Sequence, residues 1–247
     1  MNISNKTILI TGGGSGIGYE TAKLLSQQGN KIIIVGRNAD KIKKAGEELN
    51  VIAIAADITI ETDVDSLIKR VSNEFPELSI LINNAAVAYI YRVAEDPESF
   101  EKAQHEMLVN YLSPIRLTER LLPILKNQQE AAIVNVSSNV VYVPLAVLPS
   151  YSATKAALHS YTLALRRALA MDTAVKVFEL QPSLVNTDAA KGIGGEENGI
   201  DPGVVVRSLI AGIQNDVNEI YVGDTAALRD QYFSDPLIAL ETLNQGL

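Results

Sequence analysis

The stretch that most restricts how this chain can fold is Thr11-Gly12-Gly13-Gly14-Ser15-Gly16-Ile17-Gly18, set between the apolar run Thr7-Ile8-Leu9-Ile10 and a helical pattern through Leu24-Leu25. A short apolar run bounded by a turn reads as a buried strand. Glycines crowded where a strand meets a helix let the backbone approach a bound group closely, and the helix start offers free N–H groups and the positive end of its dipole to a phosphate. Strand, glycine-rich turn and helix together predict a nucleotide at the carboxyl ends of a parallel sheet.

The rest of the chain repeats the alternation. Strands are predicted at Lys31–Val35, Val51–Ala56, Leu78–Ile82, Ala131–Ser138, Val175–Leu180 and Glu219–Gly223. The fully apolar run Val51–Ala56 reads as a central strand covered on both faces. Helical patterns occupy a stretch with Lys41 and Leu49, Val64 to Phe75, a long segment from Pro97 to before Asn127 with a kink at Pro114, Ser152 to Ala170, Pro202 to Ile213 and Pro236 to Leu243. This is an α/β chain: a doubly wound, Rossmann-type, mostly parallel seven-stranded sheet with helices on both faces, in a single domain over residues 1–247.

The chemistry centres on Ser150-Tyr151-Ser152-Ala153-Thr154-Lys155. Residues four apart on a helix share a face. A phenol has a pKa near ~10, and lowering it by about three units takes roughly 4 kcal/mol. An ammonium about 4 Å away supplies that much at an effective dielectric near 20. Tyr151 and Lys155 are thus expected to form an activated acid/base pair. The hydroxyls of Ser137 and Ser138 end the fifth strand, where open α/β sheets place their ligands.

Composition narrows the partners. Lys+Arg number 21 and Asp+Glu 29, for a net charge of −8, and no basic cluster exceeds a pair such as Lys43-Lys44 or Arg166-Arg167. That argues against nucleic acid and membrane insertion. Cysteine is absent and His105 and His159 stand far apart, so no metal is implied. No run of eighteen apolar residues occurs, and the first strand is too short for a signal-peptide core, so a soluble, cytoplasmic protein is expected.

These pieces together resemble the short-chain dehydrogenase/reductase family over essentially the whole chain. The glycine turn matches its T-G-x-x-x-G-x-G spacing, which implies cofactor contacts at Gly12, Ser15, Gly16, Ile17 and Gly18. Asn83-Asn84-Ala85-Ala86 departs from the family's N-N-A-G at Ala86; the resemblance implies cofactor contacts at Asn84 and Ala85, with Ala85 and Ala86 leaving room for the cofactor ribose, and Asn83 reads as structural support. Gln181-Pro182-Ser183 has Ser183 where the family has Gly; Pro182 is retained as a cofactor contact, and Thr187 and the Val185 backbone match positions that hold the nicotinamide carboxamide. Asp57 and Ile58 fall at the adenine pocket, Asp57 also being a candidate helix cap. The resemblance implies four catalytic residues. Tyr151 is the acid/base, and Lys155 lowers its pKa while holding the nicotinamide ribose. Ser138 orients the substrate oxygen. Asn110 holds a water that links Lys155 to solvent. Tyr151 to Leu165 looks most like a bacterial subgroup labelled as the oxidoreductase of D-alanyl-lipoteichoic acid synthesis, a label of genomic association and not of substrate.

At the end of the second strand, where an NAD site carries a carboxylate, this chain has Gly36 and then Arg37, which favours NADP over NAD. The gly-rich, acidic run Asp188–Gly199 resembles a short substrate lid near 188–200. Tyr89, Val143, Leu145 and Leu148 suggest an apolar pocket. The reading is an oxidoreductase moving a hydride between NADP(H) and a hydrophobic carbonyl or alcohol. The alternative is a cofactor-binding sensor or scaffold, which needs neither Tyr151 nor Lys155. Apolar residues on more than one face of the Tyr151 helix, and small ones at Ala153, Ala156, Ala157, Ser160 and Ala164, predict a homodimer or homotetramer through this helix and the one with Asn110.

Overall fold

In the computed structural model, which describes residues 1–245, each of the seven runs read as a strand corresponds to one, and strands alternate with helices along the chain. The chain runs through β1 (Thr7–Thr11), α1 (Gly16–Ser26), β2 (Lys31–Gly36), α2 (Ala39–Leu49), β3 (Ile52–Ala55), α3 (Glu61–Glu74) and β4 (Leu78–Asn83). Next come α4 (Ser99–Met107), a π-helical turn (Leu108–Leu112), α5 (Ser113–Lys126), β5 (Ala131–Val136) and α6 (Pro149–Asp172). The last part comprises β6 (Val175–Pro182), α7 (Gly195–Asn198), α8 (Pro202–Gln214), β7 (Glu219–Val222), α9 (Thr225–Ser234) and α10 (Pro236–Asn244). Of these, α9 had no expectation in the sequence.

The strands form one parallel sheet of order β3-β2-β1-β4-β5-β6-β7. Chain direction across the sheet reverses between β1 and β4, so a crevice opens beyond their carboxyl ends. Alternation along each strand divides the core. Ile8, Ile10, Ile32, Ile34, Phe178 and Leu180 face α1 and α8, whereas Leu9, Ile33, Leu81, Ile133 and Val177 face α3, α5 and α6. Each such side chain contributes roughly 1.5–3 kcal/mol on burial.

The strand Val51–Ala56 is corrected: β3 lies at the sheet edge, and of its four residues only Ile54 is buried. Composition marks a strand as apolar, but its place in the order depends on which neighbour it pairs with. The helix ends follow local chemistry. Asn38 accepts from the Lys41 N–H at 2.9 Å to start α2, and Asp201 and Asp235 cap α8 and α10 ahead of Pro202 and Pro236. The expected kink at Pro114 is a π-helical turn just before it, and α5 then runs on through Pro123. Among the described residues no helix is long and apolar enough to cross a membrane.

Candidate active site

The glycine-rich turn closes against β4. Gly12 has a φ of +69°, and the Gly12 and Gly13 N–H groups both donate to the Val35 carbonyl. Thr11 Oγ1 accepts from the Asn84 and Ala85 N–H groups at 3.0 Å, while Asn84 Nδ2 donates to the Thr11 carbonyl at 2.9 Å. Asn84 borders the cleft, but its amide is spent on the turn. A Cβ at Gly18 would sit 2.4 Å from the Gly12 oxygen, so only glycine lets α1 start this close to the turn. The Ser15 side chain does not cap α1, which leaves its hydroxyl and the first N–H groups of the helix available to a phosphate.

Gly36, Arg37 and Asn38 border the cleft at its outer end, with Arg37 exposed. Asp57 accepts from the Thr59 N–H at 2.9 Å and from the Thr59 hydroxyl at 2.7 Å. Burial alone would push this carboxyl up, yet the two Thr59 bonds and then the Arg37 charge outweigh it and hold it below the usual carboxylate range. The Asp57 side chain therefore shapes its own turn; the Asp57 N–H in turn donates to Asp63 at 2.9 Å. Ile58 is buried beside it, its carbonyl accepting from Ser113 Oγ at 3.1 Å. Asn83 bridges β4 and β5 through Nδ2 to Asn135 Oδ1 at 2.9 Å.

Ser138, Tyr151 and Lys155 meet where β5 and β6 end. Tyr151 lies in the first turn of α6, and the Lys155 Nζ is 5.5 Å from the centre of its ring. Lys155 is 2 % exposed and donates to the Val136 carbonyl at 2.8 Å. Ser138 Oγ donates to Asn139 Oδ1 at 3.1 Å. Burial pushes the Tyr151 phenol up to about 12, with Ser138 opposing and Glu106 adding to the rise. Burial pushes Lys155 down to about 8, with Glu179 opposing. The lowering of the Tyr151 pKa expected from its spacing to Lys155 is absent in the free protein: burial raises the phenol, and what opposes it is the Ser138 hydrogen bond rather than the lysine.

Asn110 sits inside the π-helical turn. Its side chain is fully engaged: Oδ1 accepts from the Val87 N–H at 2.9 Å, and Nδ2 donates to the Val87 carbonyl at 2.8 Å and to Thr154 Oγ1 at 3.1 Å. What Asn110 can offer a water is its carbonyl, since Pro114 has no N–H to donate back to it.

Pro182 ends β6, and Ser183 takes the family's glycine position because Gly223 opposite has no side chain: a Cβ there would lie 2.1 Å from Ser183 Oγ. Thr187 packs its methyl against Gly16, and Val185 pairs with Ile200, closing the base of a loop that contains a 3₁₀ turn (Asp188–Ile193) and α7. Asp188, Ala190 and Ile193 of this loop border the cleft.

The cleft measures about 890 Å³, at the upper end for small-molecule sites, and reaches without a break from Arg37 to Tyr151. Leu145 and Leu148 line it as expected, but Tyr89 and Val143 do not. Val143 is fully buried with Leu228 and Ala239, and the Tyr89 hydroxyl is 2.6 Å from His105 Nδ1. Their places are taken by Val87, Val140, Val147 and Leu184.

Two buried acids escaped sequence reasoning. Glu106 accepts from the Tyr89 N–H at 2.7 Å and from Ser150 Oγ, next to Tyr151. Glu179 accepts from Ser137 Oγ at 2.5 Å and pairs with His159 Nδ1 at 2.8 Å. The available signal was an acid within an otherwise apolar strand, Val177-Phe178-Glu179-Leu180.

Residues 6–198 match the family described as short chain dehydrogenase. The chain is 34% identical over 249 residues, 99% of its length and 98% of the relative's, to the uncharacterized oxidoreductase DltE of Bacillus subtilis (strain 168). Its fold is similar to that of a short chain dehydrogenase from Burkholderia cenocepacia J2315 in complex with NADP, at a TM-score of 0.84 and 26% identity covering 100% of both chains. A 3-ketoacyl-(acyl-carrier-protein) reductase from Brucella melitensis complexed with NADH gives a TM-score of 0.81 and 27% identity over 90% of this chain and 96% of that one.

Proposed function

The chain belongs to the short-chain dehydrogenase family of oxidoreductases, and on that premise we propose that it moves a hydride between NADP(H) and a hydrophobic carbonyl or alcohol compound. The observation that carries this reading is the convergence of Ser138, Tyr151 and Lys155 in one cleft that continues to the glycine-rich turn and Arg37.

The residues present fit a dinucleotide. The glycines let the turn close tightly on β2, β4 and the start of α1, where a Cβ at Gly12, Gly13 or Gly18 would collide with Ala85, Ile34 or the Gly12 oxygen; the Ser15 hydroxyl and the first N–H groups of α1 suit a pyrophosphate, and Arg37 suits a 2′-phosphate. Lys155 and Thr187 would hold its nicotinamide end. When bound, the nicotinamide supplies or accepts the hydride.

The chain's own residues handle the proton. At neutral pH Tyr151 is a phenol and Lys155, at about 8, is still mostly an ammonium. In reduction Tyr151 gives its proton to the carbonyl oxygen as the carbon receives the hydride; in oxidation the same atoms run in reverse. Lys155 stabilises the phenolate that forms, and the Ser138 hydroxyl turns from Asn139 to hydrogen-bond the substrate oxygen. Val140, Leu145, Val147, Leu148 and Leu184 favour an apolar substrate. The test is NADPH consumption against a panel of hydrophobic aldehydes and ketones. Turnover lost in Tyr151→Phe supports the reading; no turnover by the parent with any carbonyl or alcohol, in either direction, defeats it.

The protein is further proposed to assemble as a homodimer or homotetramer through the α4–α5 and α6 helices. Phe100, Leu112 and Leu163 leave apolar surface exposed on these helices.

A further inference from the structure

We infer that Glu179 and His159 form a positioning pair for the active-site lysine: Glu179 supplies the counter-charge that keeps Lys155 an ammonium and holds the turn carrying Ser138, and His159 anchors Glu179 from the solvent side. This rests on the reading of Lys155 as the ammonium beside Tyr151.

Tyr151, Lys155 and His159 are four apart in turn on α6 and so share one face. That face lies over β6. Along β6, Phe178 and Leu180 point to the core on the far side, while Val177 and Glu179 point toward α6. Glu179 is fully buried, as are its apolar neighbours. A carboxylate in such a place costs free energy that Val or Ala would not, unless its charge is used and its oxygens are bonded. Both oxygens are bonded. Oε1 accepts from Ser137 Oγ at 2.5 Å, and Oε2 faces His159 Nδ1 at 2.8 Å. A carboxylate only accepts, so Nδ1 carries the hydrogen.

The two bonds have different consequences. Ser137 immediately precedes Ser138, and its N–H also donates to the Leu180 carbonyl at 2.9 Å, so Glu179 fastens the turn on which Ser138 stands. The order Ser137, Glu179, His159 places the carboxylate between serine and histidine, so the imidazole bonds Glu179 and not Ser137, and the trio is not arranged as a hydrolytic triad. Among the described residues Lys155 Nζ donates to a neutral acceptor, the Val136 carbonyl, so a buried ammonium there needs an anion within range of its field. Glu179 provides one, raising Lys155 against the effect of burial.

The remaining charged or titratable neighbours are few. Glu219 on β7 is in register with Glu179 but is tied to Arg166 at 3.4 Å and to the Tyr221 hydroxyl at 2.5 Å. The Tyr142 ring stands edge-on to His159 at 5.5 Å. On the other side of Lys155 are Tyr151 and, beyond it, Glu106. His159 is raised mainly by its bond to Glu179, with Glu219 adding and Arg166 opposing.

The test is an NMR titration of the ligand-free protein labelled with 13C at lysine Cε, with Lys155 assigned from the Lys155→Arg spectrum. In the parent the Lys155 midpoint is expected near 8. In Glu179→Gln, which keeps shape and hydrogen bonding but not charge, it should fall by about one pH unit. An unchanged midpoint overturns the inference. Should Glu179→Gln not fold, the parent and His159→Gln decide. The Lys155 resonance should show a second, smaller inflection at the pH where His159 titrates, lost in His159→Gln. Its absence from the parent overturns the coupling. Neither cofactor nor substrate enters this titration, so its failure is separable from failure of the hydride-transfer reading, which Tyr151→Phe turnover judges.

Discussion

Pro114 stands four residues after Asn110 and cannot return the N–H that an α-helix would send to the Asn110 carbonyl. The helix takes a π turn instead, with the Ser113 N–H reaching the Leu108 carbonyl. Asn110 is buried behind Val109, which borders the cleft where Asn110 does not, and its side chain ties Val87, beyond the end of β4, to α6.

Removing that side chain should therefore act on stability. Asn110→Ala leaves the Val87 N–H and carbonyl without partners, each costing about 1–3 kcal/mol. Urea denaturation should show a loss of roughly 2–4 kcal/mol. A variant as stable as the parent would mean that the clamp is replaced by water.

Tyr151→Phe removes the hydroxyl that gives or takes the proton. Turnover should drop by at least ~100-fold, the usual effect of losing a general acid/base, while NADPH affinity, followed by its fluorescence, stays within about twofold. Full activity in this variant excludes Tyr151 as the acid.

The buried lysine makes stability depend on pH. Lys155 titrates near 8 when folded against an ordinary 10.5, so between those values the unfolded chain binds more protons and stability rises with pH. Below 8 the full cost, roughly 3 kcal/mol, is present. Tyr151 acts in the opposite sense and later: its phenol is held up to about 12 against 10.0, so its contribution is lost only as pH climbs above 10. Urea midpoints of the ligand-free parent should rise from pH 8 to pH 9.5. Lys155→Met should be more stable at pH 7 by about 1–3 kcal/mol and show a flatter curve. A parent curve without slope in this window contradicts the assignment.

Cofactor choice should follow Arg37. Charge-assisted bonds to a 2′-phosphate should favour NADPH over NADH by roughly 1.5–3 kcal/mol. The pair Gly36→Asp and Arg37→Leu should reverse the order. The new side chain at 36 meets Ile42 Cδ1 at 3.2 Å, the movable end of a side chain, so the fold should accept it. Calorimetric titration in which the parent binds NADH more tightly would remove Arg37 from this role.

Assembly should depend on α6. Light scattering at micromolar concentration should give a mass of two or four chains, and Ala157→Glu should lower it to one while reducing the melting temperature. A single-chain mass for the parent, with or without NADP, refutes the arrangement.

Sequence and structure divide at identifiable residues. Tyr151 and Lys155 were legible because four residues on a helix is a local distance, and the strands because apolar runs report their own burial. The edge position of β3 was not legible, since Ile52–Ala55 reads the same whether one neighbour or two pair with it. Nor was the partnership of His159 with Glu179, which lie twenty residues apart on different elements.

The sequence by itself determined the alternating α/β pattern, the glycine turn that only a residue without a Cβ can make at Gly18, and the helical spacing of Tyr151 and Lys155 on which the proposed chemistry rests. Only the tertiary structure decided the order of the strands, which side chains line the cleft, and the sign of the two central pKa shifts. The reason is physical. Periodicity and spacing act over a few residues, whereas desolvation of Tyr151 and Lys155 depends on everything packed around them, and the counter-charge that opposes it for Lys155 comes from another strand.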